Sequence, residues 1–166
     1  KSNIFIFFPD SMNVKSQLFT IAEQHDGISF PHAEVAEVNI HWEPYRDKMF
    51  INHITEPISM YHAQSKLFGN LLLQPSGLTG SGMLDFPTAQ MDSRLYGFQS
   101  LVCTADTSAF KLKSTDPNSF ALSTTNVNAK VDFSKRTGEF KSNGDATIME
   151  FPVNKFICHM DRFTWN

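Results

Sequence analysis

From Gly69 to Asn166 the chain repeats one phrase, and that repetition constrains the fold more than any other feature. A small residue, a variable residue, an apolar residue and Asp recur as Ala89-Gln90-Met91-Asp92, Cys103-Thr104-Ala105-Asp106, Ala129-Lys130-Val131-Asp132 and Cys158-His159-Met160-Asp161. Asp92, Asp106, Asp116, Asp132, Asp145 and Asp161 follow one another at 14, 10, 16, 13 and 16 residues. Such a unit holds one strand and one turn but no helical crossover. The spacing predicts an all-β fold of stacked short strands, arranged as a meander, an elongated sandwich or a β-solenoid.

The aromatic content agrees with this reading. Sixteen Phe against three Tyr and two Trp is an apolar aromatic load suited to pleated, half-buried surfaces. Val127 to Phe133 and Thr147 to Phe151 alternate apolar and polar residues, which predicts strands with one face in a core. Thr137-Gly138 and Asn143-Gly144-Asp145 predict tight turns around the short strand Glu139-Phe140-Lys141. Gly77, Gly80 and Gly82 mark a turn, a positive φ or a close backbone approach.

Earlier in the chain the signals are mixed. Ile4 to Phe8 predicts a buried strand stopped by Pro9-Asp10. Val14, Leu18, Ile21 and Ala22 share one helical face, so Asn13 to Gln24 is a candidate N-terminal helix, with an alternating strand over Gln17 to Ala22 as the rival. Glu34 to Ile40 alternates, with Val35 misplaced by strict count, and pairs most simply with Lys48 to Ile54 as a hairpin. The division expected is an N-terminal segment, 1–34, followed by a repetitive β domain, 35–166. The opening residues carry no initiator Met and no signal-peptide pattern, and Phe163 to Asn166 reads as mid-strand. The expectation is therefore a fragment of a longer chain, with no transmembrane segment within it.

A net charge of −3, from 17 acidic and 14 basic residues well mixed along the chain, offers no basic stripe for nucleic acid. Cys103 and Cys158 occupy equivalent places in two Asp-ending units. In stacked order they lie roughly 9–10 Å apart, beyond disulfide reach, which predicts two buried thiols. The Asp residues can ligate Ca²⁺ when stacked, but an Asp at a strand end ordinarily caps its own turn. His41, His53 and His62 have no zinc-site spacing, and no metal or cofactor is expected. Trp42, Tyr45 and Tyr61, beside Glu43, Arg46, Asp47 and His62, are the residues chosen for ligand binding, because aromatic rings next to polar groups stack on sugar faces. An enzymatic reading needs two of Asp92, Asp106 and Asp132 to converge as a carboxylate pair.

Several phrases carry a family resemblance: Trp42 to Asp47, Pro75 to Gly82, Ala105 to Phe110, Val131-Asp132-Phe133, Gly138 to Asn143 and Met160 to Trp165. Over about residues 35–166 the chain resembles segments of very large, β-rich, repetitive cell-envelope proteins of Bacteroidota-type bacteria. It is more loosely similar to OstA-like lipopolysaccharide-transport folds. The resemblance implies an envelope location, periplasmic or outer-membrane associated, and a stacked-strand fold, and it carries no catalytic residues. The function expected is a non-catalytic structural or scaffolding segment. Its expected partners are other envelope proteins or further repeats of the same chain. A glycan- or lipid-binding β module is the alternative.

Overall fold

The computed structural model describes residues 3–116 and 119–166, so Lys1 and Ser2 of the opening run lie outside the described residues. The strands are β1 (Ile4–Phe7), β2 (Met12–Ile21), β3 (Ala33–Glu43), β4 (Lys48–His53), β5 (Ile58–Met60), β6 (Ser65–Gln74), β7 (Gly77–Asp85), β8 (Ala89–Phe98), β9 (Val102–Lys113), β10 (Phe120–Asp132), β11 (Thr137–Ser142), β12 (Thr147–Phe151), β13 (Phe156–Met160) and β14 (Arg162–Trp165). A 3-10 turn, Pro44–Arg46, joins β3 to β4. The fourteen strands of the described residues belong to one sheet, whose main path is β1-β2-β3-β4-β6-β7-β8-β9-β10-β11-β14.

Every strand pairing among the described residues is antiparallel. The all-β expectation therefore holds, and its form is a meander rather than the coils of a parallel solenoid. The hairpin expected from Glu34 to Ile54 is present as β3 and β4, in register from Val38 opposite His53 to Glu43 opposite Lys48. The candidate helix over Asn13 to Gln24 is not formed. Most of that stretch is β2, hydrogen-bonded to β1 on one side and β3 on the other, and Leu18, assigned to the helical apolar face, is 58% exposed. Tertiary pairing overrides a local pattern that fits either period.

A crease across the sheet explains the irregular patterns. In β3 the inward residues are Ala33 and Val35 up to Glu37, then Val38 and Ile40 beyond it. Glu37 stands in the left-handed region, φ 54, which resets the alternation and turns the misplaced Val35 into the core. β2 makes the same change of face between Val14 and Ile21, both buried. In β8 the inward set passes from Met91 and Ser93 to Tyr96 and Phe98, and in β9 from Cys103 and Ala105 to Ser108 and Phe110. In β10 it passes from Thr124 to Val127, Ala129 and Val131, across Asn126 at φ 57.

The crease runs along a cross-strand row, Gly69–Gly82–Ser93–Ser108–Val127. Bending a strand there frees backbone carbonyls, and buried serines satisfy them. Ser93 Oγ donates to Thr107 O at 2.7 Å and Ser108 Oγ donates to Val127 O at 3.0 Å. At Gly69 an added Cβ would fall on the Ser81 carbonyl, so the two backbones pass at a distance only glycine allows. The glycine cluster expected as a turn lies within β7; the turn itself is Pro75-Ser76, since Gln74 pairs with Gly77.

The creased sheet curls over its own inner face. Tyr61, after β5, stacks on Phe133, after β10, with ring centroids 3.5 Å apart. Phe86 packs on Phe133 and Trp165, and Phe110 on Phe140 and Trp165. Sheets of this size commonly curl to bury one face, and here the buried face is continuous from Val14 to Phe140.

Candidate functional site

The three aromatic residues chosen for ligand binding do not meet. Trp42 and Tyr45 sit where β3 turns into β4, Trp42 partly exposed and Tyr45 83% exposed. Tyr61 lies beside the start of β3, where its neighbour Met60 pairs with Ala33. Nine residues of strand separate Ala33 from Trp42, about 30 Å. Tyr61 is 2% exposed. Its ring is committed to Phe133 and its hydroxyl donates to Val102 O at 3.0 Å, so it is a core residue and burial pushes its pKa upward. Sequence proximity to His62 is misleading because Tyr61, His62 and Ala63 all take positive φ, which turns the tyrosine inward and the histidine outward.

The recurrent Asp residues also have separate roles. Asp132 caps the turn after β10, accepting from the Ser134 hydroxyl at 2.6 Å and the Lys135 N–H at 3.1 Å. These bonds hold its pKa below the usual carboxylate value. Asp92 and Asp106 stand inside β8 and β9 rather than at strand ends. Asp132 pairs with Val102, four residues along β9 from Asp106, or about 13 Å. This exceeds the separation of paired glycosidase carboxylates. Cys103 is buried and free, as expected, and burial pushes its thiol pKa upward. Cys158 is free but only half-buried, because β13 lies on a hairpin whose faces are largely open.

One polar cluster had no signature in the sequence. The β2–β3 loop brings Glu23 to the turn after β5, where Glu23 Oε2 accepts from His62 Nε2 at 3.0 Å and Glu23 Oε1 lies 3.5 Å from His25 Nε2. The bond from His62, more than the nearby positive charge, lowers the Glu23 pKa. His32 stacks on His62 at 4.5 Å with ring planes 14° apart. Stacked imidazoles direct their nitrogen lone pairs in parallel planes, and among the described residues no three His, Cys, Asp or Glu groups are placed to hold a metal ion. The cluster ties loop to turn.

The surface that departs most from an ordinary fold is β1. Ile4, Phe5, Ile6, Phe7 and Phe8 are all at least half exposed, although a run of this composition predicts a buried strand. Among the described residues β1 pairs with β2 alone, so its other edge offers unpaired backbone groups. From Ile4 to Phe8 it carries no charge, proline or glycine, the residues with which edges are usually blunted. Register fixes its faces: Ile4 and Ile6 lie opposite Lys15 and Asn13 on the outer side, while Phe5 and Phe7 lie opposite Val14 and Met12 on the core side. On the outer side Ile4 and Ile6 wall a groove of about 370 Å³, whose floor includes Asn13, Lys15, Asn39, His41 and Asn52.

No helix of the described residues is long and apolar enough to cross a membrane. No protein-family model matches the chain, and no match was found among curated proteins or solved structures.

Proposed function

We propose that the chain is a non-catalytic interaction segment of a larger cell-envelope or surface assembly, joined to its neighbours by strand addition at β1. One observation carries the reading: an uncharged strand, exposed on both faces and along one edge. An added strand gains main-chain hydrogen bonds along that edge and covers the flanking side chains. The envelope setting rests on the resemblance of the turn and strand phrases in residues 35–166.

The occupant that fits best is the β1 of a second copy. Antiparallel self-pairing about Ile6 sets Ile6 opposite Ile6 and Phe5 opposite Phe7, which keeps outer and core-side residues on their own faces and forms the β-branched and aromatic pairs that stabilise sheets. It opposes no like charges, and the contact is isologous, as two-fold dimers require. The exposed apolar surface from Ile4 to Phe8 amounts to about 500 Å² per copy, so roughly 1,000 Å² at most is available to the pair, near the lower bound for a specific contact.

Sedimentation velocity over a range of concentrations tests this. The expected result is reversible dimerisation of the unmodified chain and a monomeric Ile6→Lys variant with unchanged circular dichroism and melting temperature. A chain that stays monomeric at about 100 μM, where a contact of micromolar affinity saturates, overturns the self-pairing reading.

A further inference from the structure

Beyond strand addition, we infer that the outer face of β2, β3, β4 and β6 is a binding site for a neutral, polyhydroxylated chain, a glycan laid across the strands. Register places Lys15 opposite Asn39, Asn39 opposite Asn52, Asn52 opposite Asn70, and Asn70 opposite Ser81. Three carboxamides therefore stand side by side on adjacent strands, about 4.8 Å apart at each step. Asn39, Asn52 and Asn70 make no side-chain hydrogen bond among the described residues, so each offers a free carbonyl acceptor and two free N–H donors. Their groups project from a strand ladder that is otherwise fully paired, which fixes the row on a rigid support.

The next row supplies the complementary apolar surface. Ile6 pairs with Asn13, Asn13 with His41, His41 with Phe50, and Phe50 with Leu72. His41 is held in place by Asn13, 2.6 Å from its Nδ1, and packs on Phe50 with ring centroids 6.1 Å apart. A sugar ring has an equatorial edge of hydroxyls, each both donor and acceptor, and a face of C–H groups. Amides match the edge, and Phe50 with Leu72 matches the face. The groove walled by Ile4 and Ile6 closes one end.

The same face discriminates against other ligands. Lys15 is the single cation in the amide row, too little for a nucleic acid backbone. An acyl chain laid along the row would leave three amides without water or partner, which costs more than the apolar contact returns. A glycan satisfies both rows at once.

The test uses ¹⁵N-labelled full chain titrated with neutral hexasaccharides (cellohexaose, maltohexaose and chitohexaose), read by amide chemical shifts. Expected are saturable shifts with at least one of them, centred on β3, β4 and β6 and including the side-chain NH₂ groups of Asn39, Asn52 and Asn70. Asn52→Ala should weaken binding about 3- to 10-fold, the range for loss of one or two neutral hydrogen bonds. The triple Asn39→Ala, Asn52→Ala, Asn70→Ala variant, on an exposed face and so expected to fold, should abolish it. Absence of shifts with all three sugars at about 10 mM, about ten times the concentration that half-saturates a site of 1 mM Kd, overturns the inference. So do shifts confined to another face, or unchanged affinity in a folded triple variant. Phe7→Lys, on the opposite face of β1, separates this site from strand addition: it should abolish dimerisation and leave the shifts of Asn52 and Asn70 in place.

Discussion

β1 is apolar throughout and β9 alternates apolar with polar residues, yet β9 is the strand that is buried. β9 sits between β8 and β10, with Cys103, Ala105 and Phe110 turned into the core and Thr104, Asp106 and Lys111 to solvent. β1 has one neighbour among the described residues, and its apolar side chains project on both sides. Apolar composition alone therefore does not bury a strand. Burial needs alternation, so that one face can be dry, and a sheet that curls far enough to cover that face. The curl covers β9 and stops short of β1.

The largest way to break the difference is at the crease, because it makes the curl. Gly69→Ala drives a Cβ into the Ser81 carbonyl. It should cost about 4 kcal/mol or more, the range of exceptional single substitutions, measured by urea unfolding. A matched pair of truncations sharpens the contrast. Phe110, 2% exposed, should lose about 3–5 kcal/mol on change to Ala. Phe7, 74% exposed, should lose less than about 0.5 kcal/mol in the monomer. Equal losses would show that β1 is covered in solution.

The smallest effect is on acid stability and concerns the turns that fasten the curled sheet. Glu23 and Asp132 both have folded pKa values below their ordinary 4.5 and 3.8. In that case the unfolded chain binds more protons than the native one near and below those values. Their contribution is complete above the unfolded pKa and is lost as pH falls through the folded pKa. Glu23→Gln should flatten the decline of stability from about pH 4.5 downward, and Asp132→Asn should do so slightly lower, both read from melting temperature against pH.

Particular residues show what was legible in the chain. The β3–β4 hairpin and the alternation of Val127, Ala129 and Val131 could be read directly, because turn residues and period two agree there. Val35 looked misplaced, and Val14, Leu18 and Ile21 looked helical, for one reason: each strand changes face at the crease. A reset of a period-two pattern mimics a longer period over ten residues. The backbone conformation of Glu37 leaves no compositional mark, since a left-handed glutamate is not what a sequence advertises. The amide row was invisible for a different reason. Asn39, Asn52 and Asn70 are unremarkable singly, and only register brings them into line. The choice of Tyr61 failed because an aromatic residue beside polar neighbours reads as exposed until the three-residue left-handed turn is known.

The meander has a consequence for how such a molecule can lengthen. Each main-path strand pairs mostly with its neighbour in the chain, and the excursions, β5 and the β12–β13 hairpin, branch from long strands that already have another partner. Inserting one more hairpin requires no rethreading of existing connections. Duplication of short gene segments could thus extend the sheet stepwise, with the crease passed on wherever a serine or glycine keeps its place in the row.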